Sequence, residues 1–241
     1  MKKQVGDAAA GDGTLSAHTV GAGRQGVIGA ACGGTIADLS RLFEQIDNEG
    51  GVRVPTFVRW AGVTLAGART DHLVTSIDYY PTLMELIGAD VPVSVAIDGV
   101  SFADVVRTGK SVARRPPIYW HFPAYLPLGE RGGRYAFRTT PAAAVRDGRW
   151  KLIEFFEDGQ LELYDLKIDQ SETTNLALER PRIVALLRED LHRWRAEVKA
   201  RISLGPNPAF DPDRGPLPRA DPVTWEMVAA KLSALRRDTE E

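Results

Sequence analysis

Ala142-Ala143-Ala144-Val145-Arg146-Asp147-Gly148-Arg149-Trp150-Lys151-Leu152-Ile153-Glu154-Phe155-Phe156, with Leu161-Glu162-Leu163-Tyr164-Asp165 five residues on, decides how this chain folds. Three β-type runs, 142–146, 150–156 and 161–165, are separated by Asp147-Gly148 and Asp158-Gly159. Asp-Gly pairs tolerate the positive φ that tight reversals need, so the spacing predicts a three-stranded antiparallel meander. Ile118-Tyr119-Trp120-His121-Phe122, aromatic and β-prone, is a further strand before it.

The meander needs a cover, and the sequence supplies one. From Pro181, a residue suited to a first helical turn, Ile183, Leu187, Leu191, Trp194 and Val198 recur on one helical face. Antiparallel sheet plus one covering helix is the subdomain expected over 116–204. Beyond it, the prolines from Pro206 to Pro222 predict an extended arm, and Thr224 to Arg236 a last amphipathic helix, together making a segment over 205–241.

Upstream, residues 35–115 read as α/β. Ile36, Leu39, Leu42, Phe43 and Ile46 have helical spacing, Thr35 and Asp38 resemble a capping box, and Gly50-Gly51 is the expected stop. Val54 to Trp60 reads as a strand with Pro55 at its start, because proline cannot donate to a ladder. Ala61-Gly62 turns the chain. A helix follows in which Asp78 is the cap, Pro81 lies in the first turn, and Tyr80, Leu83, Met84 and Ile87 form an apolar stripe ended by Gly88. A shorter helix is expected between Ser101 and Gly109. Residues 1–34, rich in Gly and Ala and without a sustained apolar period, are expected to be disordered or loosely attached.

The bulk properties exclude several classes. A net charge of −2 over 241 residues gives no basic footprint for nucleic acid or an anionic membrane, so neither is expected as a partner. The single cysteine, Cys32, excludes an internal disulfide framework and a cysteine-based zinc site. Lys2-Lys3 has no apolar run behind it, so the sequence as written shows no secretion signal and the cytoplasm is the expected location.

Taken in order, the motifs resemble the C-terminal half of sulfatases, of the arylsulfatase-like kind within the alkaline phosphatase superfamily. Glu49-Gly50-Gly51-Val52-Arg53-Val54-Pro55, Phe57-Val58-Arg59-Trp60-Ala61-Gly62, Thr75 to Leu83 and Asp98-Gly99-Val100-Ser101 are similar to successive segments of that half. Ala144 to Leu152, Leu163-Tyr164-Asp165-Leu166 and Glu172-Thr173-Thr174-Asn175-Leu176 match its C-terminal subdomain in order and spacing. The resemblance runs from Glu49 to about Val198. It implies an incomplete alkaline-phosphatase-like α/β fold carrying an α+β subdomain, and the reaction class of sulfuric ester hydrolases.

The resemblance also implies a cofactor set that this chain does not carry. Family members use a formylglycine made from cysteine or serine and a divalent cation, usually calcium, that polarises the sulfate. Cys32 is followed by Gly33-Gly34-Thr35-Ile36, whereas the maturation motif places Pro or Ala two residues on and Arg at the fourth. Cys32 therefore reads as an inert thiol. Asp47-Asn48 resembles part of a family metal motif, but Glu49 interrupts it, and one acid plus one amide cannot complete a shell of about six to eight oxygens. Glu44 stands where the family has a lysine, and a carboxylate there repels sulfate. No catalytic or metal residue is assigned. His121 is the one substrate-edge candidate, since the family's C-terminal strands border the pocket mouth. Arg53 is expected to brace the strand's start through backbone carbonyls, and His18, His72 and His192 share no metal-ligand spacing.

These readings predict a truncated sulfatase that is inactive alone. Two alternatives stand beside it: one half of a split sulfatase, and a non-catalytic module binding sulfated glycan or protein. The expected partners are a missing N-terminal sulfatase half or a second copy of the chain, met through an exposed face that includes Phe57 and the Tyr80 helix.

Overall fold

The computed structural model describes residues 27–30, 49–90, 92, 94–111, 115–131, 134–202 and 222–237. The expected helix from Ile36 to Asp47, the residues Cys32, Glu44, Asp47 and Asn48, and most of the proline arm lie outside them. Two compact units emerge. One holds the described residues of 1–35 and 54–115, the other those of 36–53 and 116–241. Residues 49–53 therefore group with the sheet unit rather than with the strand they lead into.

In the sheet unit, β3 (Ile118–Phe122), β6 (Ala142–Asp147), β7 (Trp150–Phe155) and β8 (Leu161–Asp165) form one antiparallel sheet in the order β3-β6-β7-β8. Gly148 and Gly159 take positive φ at 57° and 68°, as the reversals require. A separate hairpin joins β4 (Leu126–Arg131) to β5 (Arg134–Thr139). That hairpin was not anticipated, although Gly132-Gly133 between two runs is a usable turn signal.

The sheet is buried on both faces. Ala143, Val145, Leu152, Leu161 and Leu163 point to α4 (Pro181–Glu197) and meet Val184, Leu187 and Leu191. The opposite face gathers Ala142, Ala144, Ile153, Phe155 and Tyr164, with Trp120 against them. The helix face differs in detail from the sequence reading: Val184 joins the buried stripe, whereas Val198, just past the helix end, is exposed. Tyr119 and Trp194 stack at 4.8 Å between ring centroids, which fixes the helix against β3. The last helix, α5 (Trp225–Arg237), adds Val228 to the same core.

Both neighbours of β8's free edge come from the chain itself. The Asn175 side chain accepts from Leu163 N–H at 3.0 Å and donates to the Leu161 carbonyl at 3.0 Å. Leu176 N–H donates to the Leu163 carbonyl and Leu161 N–H to the Val223 carbonyl. An edge strand presents unpaired backbone groups, and these bonds occupy several of them.

The other unit contains β1 (Val27–Ala30), β2 (Thr56–Arg59), a 3₁₀ turn at Ser76–Asp78 running into α2 (Tyr79–Ile87), and α3 (Ala103–Thr108). β1 pairs antiparallel with β2, Val27 opposite Arg59, so four residues of the stretch expected to be loose are a strand. Pro55 precedes β2 as its missing N–H demands. Gly50-Gly51, expected as a helix stop, both lie inside a short helix, α1 (Glu49–Val52). The unit's core is small, built from Phe102, Val105 and Val106 with Val58, Val74, Tyr79 and Leu86 packed on it. The apolar stripe of α2 is mostly outside that core: Tyr80, Leu83 and Ile87 are exposed, and the helix buries Pro81 and Thr82 instead. Among the described residues, no helix is long and apolar enough to cross a membrane.

Leu191 and Leu186 separate packing from propensity on a single helix. Leu191→Ala empties a fully buried site and should cost about 2–5 kcal/mol, while Leu186→Ala, at a side chain 68% exposed, should stay within about 0.5 kcal/mol. Urea denaturation followed by far-UV circular dichroism checks both.

Candidate functional site

His121, the substrate-edge candidate, lies on β3 opposite Ala143. Its Nε2 stands 2.7 Å from the Arg201 carbonyl oxygen, which can only accept, so Nε2 carries a hydrogen and donates it. The ring tilts against Phe156 at 5.5 Å between centroids, and the Arg195 guanidinium lies over the same Phe156 ring at 4.5 Å. His121 thus packs at the helix end of the sheet unit with one nitrogen committed to the backbone.

Arg195 belongs to a second constellation. Glu154, on the α4 face of β7, accepts from Arg188 Nε at 2.9 Å through Oε1, while its Oε2 accepts from Arg195 Nη1 at 3.3 Å and sits 2.7 Å from His192 Nε2. Arg188 also covers the Trp225 ring at 4.6 Å. The arrangement staples α4 and α5 to the sheet. Tyr119 bonds Asp190 on the same helix at 2.5 Å, and burial together with that carboxylate pushes its hydroxyl above the usual tyrosine range.

A third set lies on the opposite sheet face, and sequence reasoning missed it. Arg146 and Lys151 are direct cross-strand partners on β6 and β7. Like charges opposite one another are unfavourable, so a buried pair of this kind requires counter-charges. Glu49 and Glu172 provide them. Arg146 Nη1 meets Glu49 Oε2 at 2.9 Å; Lys151 Nζ meets Glu172 Oε1 at 2.8 Å and Glu49 Oε1 at 3.5 Å. The Glu49 N–H also donates to Glu172 Oε2 at 2.7 Å. The reversal falls at Gly148-Arg149, one residue beyond the start of the Asp147-Gly148 signal, and places residues 146 and 151 opposite each other.

In the other unit the organising group is Asp78. It occupies the N-cap position of α2, but its carboxylate does not cap that helix. It accepts from Thr75 N–H at 2.6 Å, from Thr75 Oγ1 at 3.0 Å and from Val100 N–H at 2.8 Å, and it pairs with Arg115. The Thr82 hydroxyl bridges the Asp78 carbonyl and Phe102 N–H. Gly99 lies so close to the Ile77 carbonyl that a Cβ there would collide with backbone, which explains the Asp98-Gly99 pairing in the motif. His72 Nδ1 stands 3.1 Å from the Ser111 hydroxyl, and burial and the Arg115 charge hold its pKa below the ordinary value, with Asp78 opposing. Arg53, expected as a brace, is exposed, and its backbone N–H donates to the Glu49 carbonyl at 2.8 Å; among the described residues its guanidinium makes no bond to a backbone carbonyl.

None of these sets is suited to calcium. Among the described residues, no group of three or more His, Cys, Asp or Glu side chains is placed to hold a metal ion. The most closely placed acids, Glu49 and Glu172, are already matched by Arg146 and Lys151. A calcium shell of about six to eight oxygens does not fit there, and no chemistry through that ion is assigned to these residues.

The comparisons with known proteins agree on the family. The C-terminal family described as N-sulphoglucosamine sulphohydrolase matches residues 43–197. A sulfatase of Formosa agariphila is 37% identical over 142 residues, covering 55% of this chain and 24% of its own length. A Delta 4,5-hexuronate-2-O-sulfatase of Bacteroides thetaiotaomicron is 33% identical, covering 56% of this chain and 26% of its own. Human arylsulfatase A is 30% identical over 201 residues, 72% of this chain and 36% of that protein. Among solved structures, a 2-O GAG sulfatase is 31% identical with a TM-score of 0.47, over 61% of this chain and 30% of that one. The chain therefore spans about a quarter of the length of the first two of these relatives.

Removing Glu154 should expose how much its cluster depends on it. Glu154→Ala leaves two largely buried arginines without their shared carboxylate and should destabilise the sheet unit by about 3–5 kcal/mol. His192→Ala, at a more exposed partner, should cost no more than about 1 kcal/mol. Equilibrium denaturation of the two variants distinguishes these outcomes.

Proposed function

Because this chain belongs to the sulfatase family through its C-terminal domain, we propose that it supplies the C-terminal part of a sulfuric ester hydrolase and does not turn over a sulfate ester by itself. The observation that carries this reading is the match of a C-terminal sulfatase family model over residues 43–197. The surroundings of the lone cysteine support it. Cys32 precedes Gly33-Gly34-Thr35-Ile36, without the Pro or Ala and the Arg that formylglycine formation requires.

The natural occupant of the open face is the catalytic half of a sulfatase, joined upstream or present as a separate chain. Phe57 on β2 is 62% exposed and Ile87 on α2 is 61% exposed, with Leu65, Ile77 and Tyr80 also open. Large exposed side chains on one unit with a small core mark an interaction surface. β2 is four residues long with β1 paired antiparallel to it. Completing the α/β sheet would give that strand the cover that parallel sheets have on both faces. A sulfated carbohydrate is the substrate class proposed, supported by two relatives named a Delta 4,5-hexuronate-2-O-sulfatase and an N-acetylglucosamine-6-O-sulfatase.

An activity assay tests this directly. The purified chain, co-expressed with a formylglycine-generating enzyme, should show no turnover of an aryl sulfate. Fusion behind a sulfatase catalytic half carrying Cys-x-Pro-Ser-Arg should restore it. Steady turnover by the chain alone, abolished by a calcium chelator or by Cys32→Ala, contradicts the proposal. In sedimentation runs the chain alone should self-associate, and Phe57→Asp with Ile87→Asp should weaken that association at least about tenfold, as loss of a central apolar anchor does.

A further inference from the structure

We propose that the free edge of β3 is a self-docking surface, on which a second copy of this chain pairs strand to strand about a twofold axis. The proposal concerns the sheet unit alone and does not rest on the enzymatic reading above. It begins from a difference between the two outer strands of the sheet, β3 and β8.

At β8 the chain occupies its own edge. The Asn175 side chain bonds the Leu163 N–H and the Leu161 carbonyl, Leu176 N–H reaches the Leu163 carbonyl, and Leu161 N–H reaches the Val223 carbonyl. Gln160 and Thr224 add a bridge beside them. β3 has no such cover. Among the described residues, the backbone of Ile118–Phe122 bonds only to β6. Tyr119, Trp120, His121 and Phe122 are all half-buried, as residues beside an open edge are.

A strand left at an edge usually carries a device against pairing: an edge lysine, an internal proline, or a bulge that twists the strand away. β3 carries none of the three. Ile118-Tyr119-Trp120-His121-Phe122 contains no Lys, Arg, Asp, Glu or Pro. Pro116, Pro117 and Pro123 lie just outside, so they bound the strand without interrupting its ladder. Its register with β6 runs from Ile118 to Phe122 without a shift, whereas the β4–β5 hairpin shifts at Pro127. Aromatic and β-branched side chains complete a run that favours further pairing.

The occupant that fits is a second copy of the same strand. Strands related by a twofold axis are antiparallel, the orientation that this sheet uses at each of its pairings. With the axis at Trp120, the middle residue, the two Trp120 side chains lie opposite each other. Tyr119 then stands opposite His121 of the other copy, and Ile118 opposite Phe122. No two like charges meet, and each pair is aromatic or joins an aromatic to a β-branched residue. Tyr119 is already held by Asp190 and His121 by the Arg201 carbonyl, so these side chains are fixed before the copies meet. Two four-stranded sheets then join into one continuous sheet, and β3 ceases to be an edge. Five residues make a short ladder, so the dimer is a weak, concentration-dependent one.

Sedimentation of the full chain carrying Phe57→Asp and Ile87→Asp, which removes association through the other unit, tests the pairing. A reversible dimer should appear across about a hundredfold range of concentration. Phe122 lies outside both hydrophobic clusters of the sheet, so Phe122→Lys should leave the fold intact. It should weaken the dimer at least about tenfold, as an edge lysine does. The register has a signature of its own. In a Cys32→Ala background, Trp120→Cys should cross-link to itself on mild oxidation, since opposed Cα atoms at about 4.5–5.5 Å are within disulfide reach. Phe122→Cys, whose opposite residue is Ile118, should not. If Trp120→Cys does not fold, amide exchange of the chain without it replaces the cross-link, and protection over 118–122 should rise with concentration. A chain that stays monomeric across the range, a dimer indifferent to Phe122→Lys, or cross-linking through Phe122→Cys in preference to Trp120→Cys overturns the proposal. So does protection of the β3 amides that appears only when a sulfatase catalytic half is added, which would give the edge to that partner.

Discussion

Two cations face each other across β6 and β7, and the chain's arrangement around the sheet answers to them. Arg146 and Lys151 are cross-strand neighbours on a face where Ala142, Ala144, Ile153 and Phe155 are buried. In water the repulsion between them would be slight; in a dry layer it is large, because Coulomb energies grow as the effective dielectric falls. Glu49 must come back to the sheet and Glu172 must turn inward, or the face cannot close. This is why residues 49–53 group with the C-terminal sheet although the chain next builds β2. Buried ion sets of this kind add little net stability relative to a well-packed apolar core, yet removing one partner is expensive. Their effect is to permit one arrangement and penalise others.

The two units solve burial in different ways. The sheet unit closes both faces, blocks its β8 edge with Asn175 and Val223, and staples its helices through Glu154. The other unit has three buried apolar side chains at its centre and depends on a polar hub. Asp78 joins Thr75, Val100 and Arg115, and Thr82 joins α2 to the start of α3. Such a hub fixes loops in place, but it removes little apolar surface from water. The unit is therefore specified by its polar bonds while several of its large apolar side chains stay exposed.

The parts legible in the sequence were those set by local rules. Asp147-Gly148 and Asp158-Gly159 announced the meander because positive φ is cheap at glycine, and Pro181 announced α4 because its missing N–H is an orphan there anyway. The parts that escaped depend on contacts between residues far apart in sequence. Asp78 sits at a cap position and was read as a cap, yet its carboxylate turns to Val100 and Arg115, 22 and 37 residues away. Gly50-Gly51 read as a helix stop because glycine usually ends helices; with Glu49 pinned by Glu172, the same two residues are carried inside a turn. The α2 stripe was visible as a stripe. Whether it faces a core depends on what lies opposite, and periodicity carries no information about that.

His121 shows the limit of a motif at the level of chemistry. Its position in a strand of a sulfatase C-terminal domain suggests a substrate edge, and among the described residues its Nδ1 has no hydrogen-bond partner. Here Nε2 is held by the Arg201 carbonyl at 2.7 Å and the ring is pressed on Phe156. The neighbouring Arg195 shares that ring and points its charge to Glu154. His121 Nε2 and Arg195 Nη1 are thus engaged in holding α4 and the residues after it. The charged residues Glu154, Arg188 and Arg195 serve first to order the chain, tying α4 to the sheet.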